Sequence, residues 1–297
     1  MNKTQKKNLE EAFIEVIRKT STDLPKDVAD TIEAAYVTEE KGSRAEYALR
    51  IIKDNIGLAR LKSQPLCQDT GSILFFCHYP ERTTQSELLK LFRGAVVTAT
   101  KKGYLRQNSV DSLTGKNSGT NIGPGSPVVH FEPWEKNYFD VRLVLKGGGS
   151  ENVSIQYSLP DGRLGAGRDL VGVRKCILDA VMQAQGKGCG PGILGVAIGG
   201  DRASGYLASK EQFLRKLNDR SRNTALAKLE QECLTDANKL GIGPMGFGGN
   251  TTLLGVKITA LNRLPASYFL SVSYLCWAFR RQGARINYNG EIKRWLY

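Results

Sequence analysis

The sequence has 297 residues, of which 41% are hydrophobic and 24% are charged, as in ordinary soluble globular proteins. This length allows one large domain or two ordinary ones, with a substantial core. No apolar run is long enough to span a membrane, and the start of the chain leads into a charged amphipathic stretch and not into a signal peptide. We therefore expect a cytoplasmic protein.

The net charge of +13 comes from 42 Lys and Arg against 29 Asp and Glu. Such a surplus is compatible with binding to nucleic acid, to an acidic partner subunit or to an anionic substrate. The basic residues occur only as pairs, for example Lys6–Lys7, Lys101–Lys102 and Arg280–Arg281, and no common nucleic-acid motif is present. Binding to nucleic acid is therefore kept only as an outside alternative.

Periodicity predicts a helical start followed by mixed secondary structure. Pro25 and residues 39–43 divide the first sixty residues into shorter helices, and Thr83 or Thr84 is the expected cap of a later one. Helices are predicted within 8–19, 27–61, 84–102, 169–185, 202–217 and 223–240, and strands at 72–79, 128–131, 139–145, 193–198, 256–261 and 268–272. Residues 106–127 have no periodicity and are predicted to form a loop.

This loose alternation predicts an α/β (mixed α and β) fold without a clean series of βαβ units. No internal repeat, linker or low-complexity tract divides the sequence. We expect a single irregular domain over 1–297 whose residues 1–62 form a helical N-terminal segment.

The six cysteines are irregularly spaced and contain no C-x-x-C pair, which argues against a disulfide framework and against a zinc ribbon. Cys77, Cys176 and Cys233 lie in strand-like or helix-like sequence, where a buried small hydrophobic residue is expected. Cys67 and Cys189 lie in polar or glycine-flanked loops that suit metal ligation. Cys276 is ambiguous, because its surroundings would equally suit a core.

The segment Cys67-Gln68-Asp69-Thr70-Gly71 places a thiol, a carboxamide, a carboxylate and a hydroxyl on one short loop. Three thiolates from distant loops can hold an iron–sulfur cluster and leave one iron open to a substrate, which the neighbouring polar groups would orient. For Asp69 the simpler alternative is loop capping. Arg106 would suit a substrate carboxylate, although an exposed surface arginine is the simpler interpretation.

Glycine-rich loops at 147–152, 188–192 and 241–252 are the second notable feature. Such loops let a ligand approach the backbone closely and can direct N–H groups at anionic oxygens. None matches a phosphate-binding or dinucleotide-binding pattern. Ordinary turns explain most such loops, but three of them in one chain favour a small anionic ligand.

Four ordered motifs resemble those of the class I fumarase and tartrate dehydratase family of iron–sulfur hydro-lyases. The resemblance covers about residues 10–285 and implies a fold like the N-terminal domain of class I fumarases. The motifs are Cys67-Gln68-Asp69-Thr70-Gly71, Lys146-Gly147-Gly148-Gly149-Ser150-Glu151-Asn152, Gly241-Ile242-Gly243-Pro244-Met245-Gly246 and Cys276-Trp277-Ala278-Phe279-Arg280-Arg281.

The resemblance implies roles for eight residues. Cys67, Cys189 and Cys276 would ligate a [4Fe–4S] cluster, whose open iron acts as a Lewis acid in the reversible hydration of fumarate to L-malate. The residues implied to contact the small dicarboxylate substrate are Gln68, Asp69, Arg106, Gly148 and Gly149, with Asp69 as the candidate catalytic group.

The longer members of the family carry a C-terminal domain that supplies the general base. Because this sequence ends at Tyr297, we expect an alpha-type subunit that is active only with a beta-type partner, in a heterodimer or heterotetramer. Gly149–Asn152 and Leu264–Phe269 resemble the fumarase branch, so fumarate is ranked ahead of L-tartrate, with mesaconate as a further alternative. A histidine found near Asn262–Pro265 in other members is absent here.

Overall fold

The structure is a computed structural model that describes residues 1–297. It contains eight α-helices and nine strands in two mixed sheets, so the predicted mixed α/β class is confirmed. The helices are α1 Lys3–Thr22, α2 Lys26–Thr38, α3 Arg44–Lys62, α4 Gln85–Lys101, α5 Gly148–Asn152, α6 Leu170–Ala184, α7 Arg202–Glu211 and α8 Thr224–Lys239. The strands are β1 Ser72–Pro80, β2 Val128–Trp134, β3 Tyr138–Lys146, β4 Ile155–Ser158, β5 Gly192–Ile198, β6 Leu253–Ala260, β7 Phe269–Leu275, β8 Arg280–Asn287 and β9 Ile292–Trp295.

The chain divides into two compact units. Unit 1 consists of Met1–Lys26, Asp54–Gly147 and Ala278–Tyr297, and unit 2 consists of Asp27–Lys53 and Gly148–Trp277. The chain passes from one unit to the other within two of the sequence motifs, at Gly147–Gly148 and at Trp277–Ala278. The prediction of one domain over 1–297 stays a prediction.

Unit 1 is built on a five-stranded sheet in the order β2-β1-β3-β8-β9. β1 runs parallel to β2, to which α4 connects it, and antiparallel to β3. Alternation along β1 directs Ile73, Phe75 and Cys77 into the core. There Phe92 of α4 stacks on Phe13 of α1 with ring centroids 4.2 Å apart. The two helices therefore cover one face of this sheet.

Strand β8 of unit 1 buries charged side chains. Arg281 is fully buried, and its guanidinium lies over the rings of Phe279 and Tyr297, at 4.5 and 4.3 Å from their centroids. Stacking on two aromatic faces stabilises a cation that would otherwise be costly to bury. The C-terminal residue is thereby packed onto the sheet.

Unit 2 contains a four-stranded sheet in the order β4-β7-β5-β6. The central strand β5 is buried along its whole length, parallel to β6 and antiparallel to β7. Helices α6 and α8 contribute Val173, Ile177, Leu229 and Cys233 to the core of this unit. None of the helices in the chain combines the length and apolar character needed to cross a bilayer.

Two local predictions need correction. The helix expected over 202–217 ends at Glu211, and a short 3-10 turn, Gln212–Leu214, follows it. The segment Gly148–Asn152, expected as part of a glycine-rich loop, is the short helix α5. One helical turn is too short to produce a periodic pattern in the sequence.

Candidate active site

The loop that carries Cys67 is fixed by the residue before it. Leu66 is buried, its N–H donates to the carbonyl oxygen of Ser21 at 2.9 Å, and its own carbonyl accepts from the side chain of Asn55 at 2.8 Å. Cys67 is half-buried and Gln68 is exposed. Anchoring at Leu66 therefore holds a thiol and an accessible carboxamide at successive positions of a well-supported loop.

Asp69 is held by groups from three parts of unit 1. Its Oδ1 accepts from the N–H of Gly71 at 2.9 Å and from Nδ2 of Asn108 at 3.2 Å. Its carbonyl oxygen accepts from Nη1 of Arg280 at 2.6 Å, and the Arg280 side chain is almost fully buried. The bond to Gly71 is the local loop-capping contact. The bonds from Asn108 and Arg280 are long-range, so the position of Asp69 depends on more than its own loop.

Two glycines allow the Asp69 loop to pack closely on the end of β3. Gly71 has a φ of +75°, and a Cβ atom there would overlap the carbonyl group of Lys146. A Cβ atom at Gly147 would lie only 3.1 Å from Oδ2 of Asp69. Larger residues at either position would displace the loop, and with it the Asp69 carboxylate.

Arg106 lies in the long loop after α4, and its side chain is exposed. Its N–H donates to Oγ1 of the buried Thr70 at 3.2 Å. Because Thr70 is the neighbour of Asp69, this bond joins the loop that carries Arg106 to the loop that carries Asp69. The structure thus brings together the segments of two predicted substrate ligands, both within unit 1.

Cys189 and Cys276 lie on joined segments of unit 2. Cys189 follows the 3-10 turn Gln185–Gly188 in a left-handed backbone conformation, with φ 52° and ψ 58°. Its carbonyl oxygen accepts from the N–H of Trp277 at 3.1 Å. Cys276 is the preceding residue and follows directly after β7. One main-chain hydrogen bond therefore connects the two cysteine motifs.

The glycine-rich motif at Gly148–Asn152 is hydrogen-bonded to the segment that carries Cys276. The hydroxyl of Ser150, a buried residue of α5, accepts from the N–H of Cys276 at 3.1 Å. The hydroxyl of Ser154 donates to the carbonyl of Ser150 at 3.0 Å and accepts from the N–H of Tyr274 at 3.1 Å. Gly148 and Gly149, at the start of α5, are both exposed.

Tyr274 packs between the cysteine segments. A Cβ atom at Gly188 or Gly192 would overlap the Tyr274 ring, so both glycines leave space for it. Burial raises the pKa of the Tyr274 phenol well above its usual range, and the nearby Cys276 and Cys189 add to the shift. The phenol therefore stays neutral beside the two cysteines.

The other three cysteines are poor candidates for ligands. Burial raises the pKa of Cys176 to about 11 and that of Cys233 to about 12, and it raises the pKa of Cys77 still further. Burial therefore disfavours the thiolate that each would have to become as a metal ligand. The prediction that they are buried hydrophobic residues is confirmed.

The remaining cysteines, Cys67, Cys189 and Cys276, have the donor chemistry of an iron–sulfur site. None of the six cysteines is in a disulfide. No three Cys, His, Asp or Glu side chains lie together as a ready-made metal-binding group. Cys67 belongs to unit 1 and the other two to unit 2, and the three-cysteine ligand set stays a prediction.

Several residues of the site were not predicted, namely Asn108, Asn121 (whose Nδ2 donates to the Arg106 carbonyl at 2.7 Å), Ser150, Tyr274 and Arg280. Their contacts are long-range: Ser150 and Cys276 are 126 positions apart, and Asp69 and Arg280 are 211 apart. Ser150 and Arg280 lie in the quoted motifs, which was the available signal. The two asparagines lie in a loop without periodicity and gave none.

Thiols thus lie on loops of both units, and unit 1 also carries a carboxylate and an exposed guanidinium on two bonded loops. The chain belongs to the fumarate hydratase (Fumerase) family, whose family model matches residues 10–285.

Individual relatives support this assignment. The chain is 54% identical over 293 residues to a Geobacillus stearothermophilus protein provisionally named fumarate hydratase class I, covering 97% of this chain but 57% of that protein. It is 33% identical to a Methanocaldococcus jannaschii protein provisionally named L(+)-tartrate dehydratase subunit alpha, covering 96% of this chain and 99% of the relative. The L(+)-tartrate dehydratase subunit alpha of Escherichia coli K12 is 32% identical, with 88% of this chain and 85% of the relative covered. The chain thus spans little more than half of the first relative and most of the other two.

Proposed function

We propose that the chain is the alpha-type part of an iron–sulfur-dependent hydro-lyase that reversibly hydrates fumarate to L-malate. The observation that carries the proposal is the bonded pair of loops in unit 1. Cys67, Gln68 and Asp69 lie on one loop, Arg106 lies on the other, and Thr70 and Asn108 join them. A thiol, a carboxylate and an accessible guanidinium are thereby carried on two loops that are bonded to each other.

Arg106 would bind one carboxylate of the substrate. Its guanidinium is exposed, and its planar pair of donors matches a carboxylate bidentately. Gln68 is exposed on the loop to which the Arg106 loop is bonded, and it adds a carboxamide that can donate or accept. The surplus of positive charge on the chain would also favour approach of a dianion.

Asp69 would orient the hydroxyl group or water that is removed or added. Its carboxylate is fixed through Oδ1 by Gly71 and Asn108. Fixed acceptors cost little reorganisation during a reaction, which is the general basis of electrostatic preorganisation. Gly148 and Gly149 are exposed and without side chains, so a substrate can come close to their backbone.

A [4Fe–4S] cluster held by Cys67, Cys189 and Cys276 would supply a Lewis acid for the departing hydroxyl group. The chain would contribute the three thiols and a neutral phenol, Tyr274, beside Cys189 and Cys276. The hydroxyl of Ser150 and the carbonyl of Cys189 hold the backbone of the Cys276 segment in place.

We further propose that the general base comes from a beta-type polypeptide, in a heterodimer or heterotetramer. Two relatives that this chain matches over most of their length are named as alpha subunits, which supports a partner. A cytoplasmic location remains part of the proposal.

L-Tartrate dehydratase is the second candidate, because those two relatives carry that name. The higher identity to the fumarate hydratase relative, 54% against 32–33%, favours fumarate.

The test is to co-express the chain with a beta-type polypeptide, reconstitute the complex anaerobically, and measure iron, sulfide and the turnover of fumarate and L-tartrate. We expect about four irons per chain and a higher kcat/KM for fumarate. Arg106→Ala should lower kcat/KM by about 100-fold, whereas Arg93→Ala, which removes the same charge from helix α4, should not.

The outcomes separate the alternatives. Preference for L-tartrate would move the assignment to the second candidate. A complex that binds no iron, or that holds iron and turns over none of fumarate, L-tartrate and mesaconate, would refute the hydro-lyase proposal.

A further inference from the structure

The main chain of Arg106 is held from both sides by side chains of unit 1. Its N–H donates to Oγ1 of Thr70 at 3.2 Å, and its carbonyl oxygen accepts from Nδ2 of Asn121 at 2.7 Å. No helix or strand contains Arg106, and its side chain is exposed. The Thr70 hydroxyl also donates to the same carbonyl at 3.4 Å, and together these bonds supply the support that regular secondary structure gives to functional residues elsewhere.

Asn121 makes four hydrogen bonds through one amide group. Its Nδ2 donates to the carbonyl of Arg106 and to Oγ1 of Thr100, the latter at 3.0 Å. Its Oδ1 accepts from the N–H groups of Asn108 and Ser109, at 2.8 and 3.1 Å. Both amide hydrogens and both lone pairs are used, which is the full capacity of an asparagine side chain. The residue is 3% exposed.

The hydrogen bond to Thr100 attaches Asn121 to helix α4. Thr100 lies in the last turn of α4, is buried, and donates from its own hydroxyl to the carbonyl of Val96 at 2.8 Å. Asn121 has a φ of 61°, a left-handed conformation that asparagine tolerates better than most residues. Few other side chains would fit this backbone and also carry two donors and two acceptor positions.

The Asn121 amide is also connected to Asp69, through Asn108. Asn121 holds the backbone of Asn108, and the side chain of Asn108 donates to Oδ1 of Asp69 at 3.2 Å. Arg106 and Asp69 are thus both connected to Asn121, one directly and one through Asn108. A shift of this one amide would move the backbone of Arg106 and Asn108, and with it the guanidinium and one of the two donors to Oδ1 of Asp69.

We propose that Asn121 is a positioning residue that sets the geometry between Arg106 and Asp69 for binding of the dicarboxylate. The inference rests on the proposed function, because it assigns Asn121 to the substrate site of that reaction. Asn121 does not itself touch the substrate in this proposal. It acts through the Arg106 carbonyl and the Asn108 backbone.

The test compares Asn121→Asp and Asn121→Ala with the parent in the reconstituted complex. The aspartate keeps the two acceptor bonds and loses the two donor bonds, whereas alanine loses all four. We expect KM for the dicarboxylate to rise by about 10-fold in the first variant and about 100-fold in the second. The value of kcat should change less than KM, and iron per chain should stay at the parent value. Asn137→Asp, which changes an exposed asparagine between β2 and β3 of the same unit, is the matched control and should leave KM within about two-fold.

Hydrogen exchange measured by mass spectrometry on the same complexes gives a readout that does not depend on turnover. Peptides covering residues 104–110 should exchange faster in the order parent, Asn121→Asp, Asn121→Ala. Faster exchange with unchanged KM would overturn the proposal and leave the proposed function intact. Equal losses of kcat, iron and thermal stability would reduce Asn121 to a purely structural role, which also overturns it. A parent complex without turnover of fumarate, L-tartrate or mesaconate would refute the proposed function, and this inference with it.

Discussion

The carbonyl oxygen of Cys189 accepts a hydrogen bond of 3.1 Å from the N–H of Trp277. This bond extends the antiparallel pairing of β5 with β7, in which Ile193 lies opposite Leu275, and holds the segment of Cys276 beside that of Cys189, although the two cysteines are far apart in sequence. The Tyr274 ring lies against the same region, on the backbone of Gly188 and Gly192. The local geometry of two candidate ligands is therefore fixed by backbone contacts and by the absence of side chains at two glycines.

Gly192→Ala should destabilise unit 2, because its Cβ atom would overlap the Tyr274 ring. Overpacking of this kind costs about 1–3 kcal/mol of unfolding free energy. Gly162→Ala is the matched control, since a Cβ atom there meets nothing within 4 Å. Its unfolding free energy should be unchanged or raised by up to about 1 kcal/mol. Denaturant titration of both variants checks the prediction, and equal stability of the two would contradict it.

Ser150→Ala should weaken the attachment of α5 to the end of β7. The N–H of Cys276 would lose its acceptor in a buried position, which costs about 1–3 kcal/mol. Ser158→Ala removes a hydroxyl from an exposed position bonded to Arg202 and should change stability by less than about 0.5 kcal/mol. Chemical denaturation measures both. If the two variants lost equal stability, the bond from Cys276 to Ser150 would contribute no more than an exposed surface contact.

Much of the secondary structure could be predicted from periodicity, but β8 could not. Its sequence, Arg280–Asn287, places charged and polar residues where a buried strand normally has apolar ones. The strand is buried because distant partners compensate the charges: the carbonyl of Asp69 accepts from Arg280, and two aromatic rings cover Arg281. Strands β4 and β9 were missed for a simpler reason, because four residues are too few for an alternating pattern to be recognised.

The candidate site likewise has features that the sequence predicts and features that it does not. The loops of Cys67 and Cys189 and the exposed position of Arg106 could be predicted, because each depends on local composition. The hydrogen bonds that hold these loops could not be predicted. Asn121 bonds to Arg106 across an irregular loop, and Ser150 bonds to Cys276 across most of the sequence of unit 2. Such contacts are fixed by the packing of the sheets and helices, which a single sequence does not reveal.

Five of the cysteines should fall into two groups in their reaction with iodoacetamide in the native protein without a bound cluster. Cys67 and Cys189 are half-buried, so they should be alkylated first at mildly alkaline pH. Cys77, Cys176 and Cys233 are buried, and burial raises the pKa of each thiol, so they should react only after denaturation. Peptide mass spectrometry over time distinguishes the sites. Early labelling of Cys176 or Cys233 would contradict the burial described here.

Unit 2 should lose stability in acid through Asp179. Its carboxylate accepts from the hydroxyl of Tyr157 at 2.7 Å and from both terminal nitrogens of Arg163, at 3.1 and 2.9 Å. The hydrogen bonds from Arg163 are the main reason why the pKa of Asp179 is lowered. A carboxyl group with a lowered pKa in the folded state stabilises the fold fully above its unfolded pKa of about 3.9. That contribution is lost as the pH falls through the lower, folded-state value.

Asp179→Asn should therefore reduce the stability at neutral pH and flatten its decline between neutral pH and strong acid. The amide keeps an acceptor for Tyr157 but loses the charge that attracts Arg163, so the variant and the parent should approach each other as Asp179 is protonated. Asp54→Asn, which removes the same charge from an exposed position on α3, should leave the parent's pH dependence almost unchanged. Denaturation midpoints measured across this pH range test the prediction. Parallel curves for Asp179→Asn and the parent would show that Asp179 is not a source of the acid sensitivity.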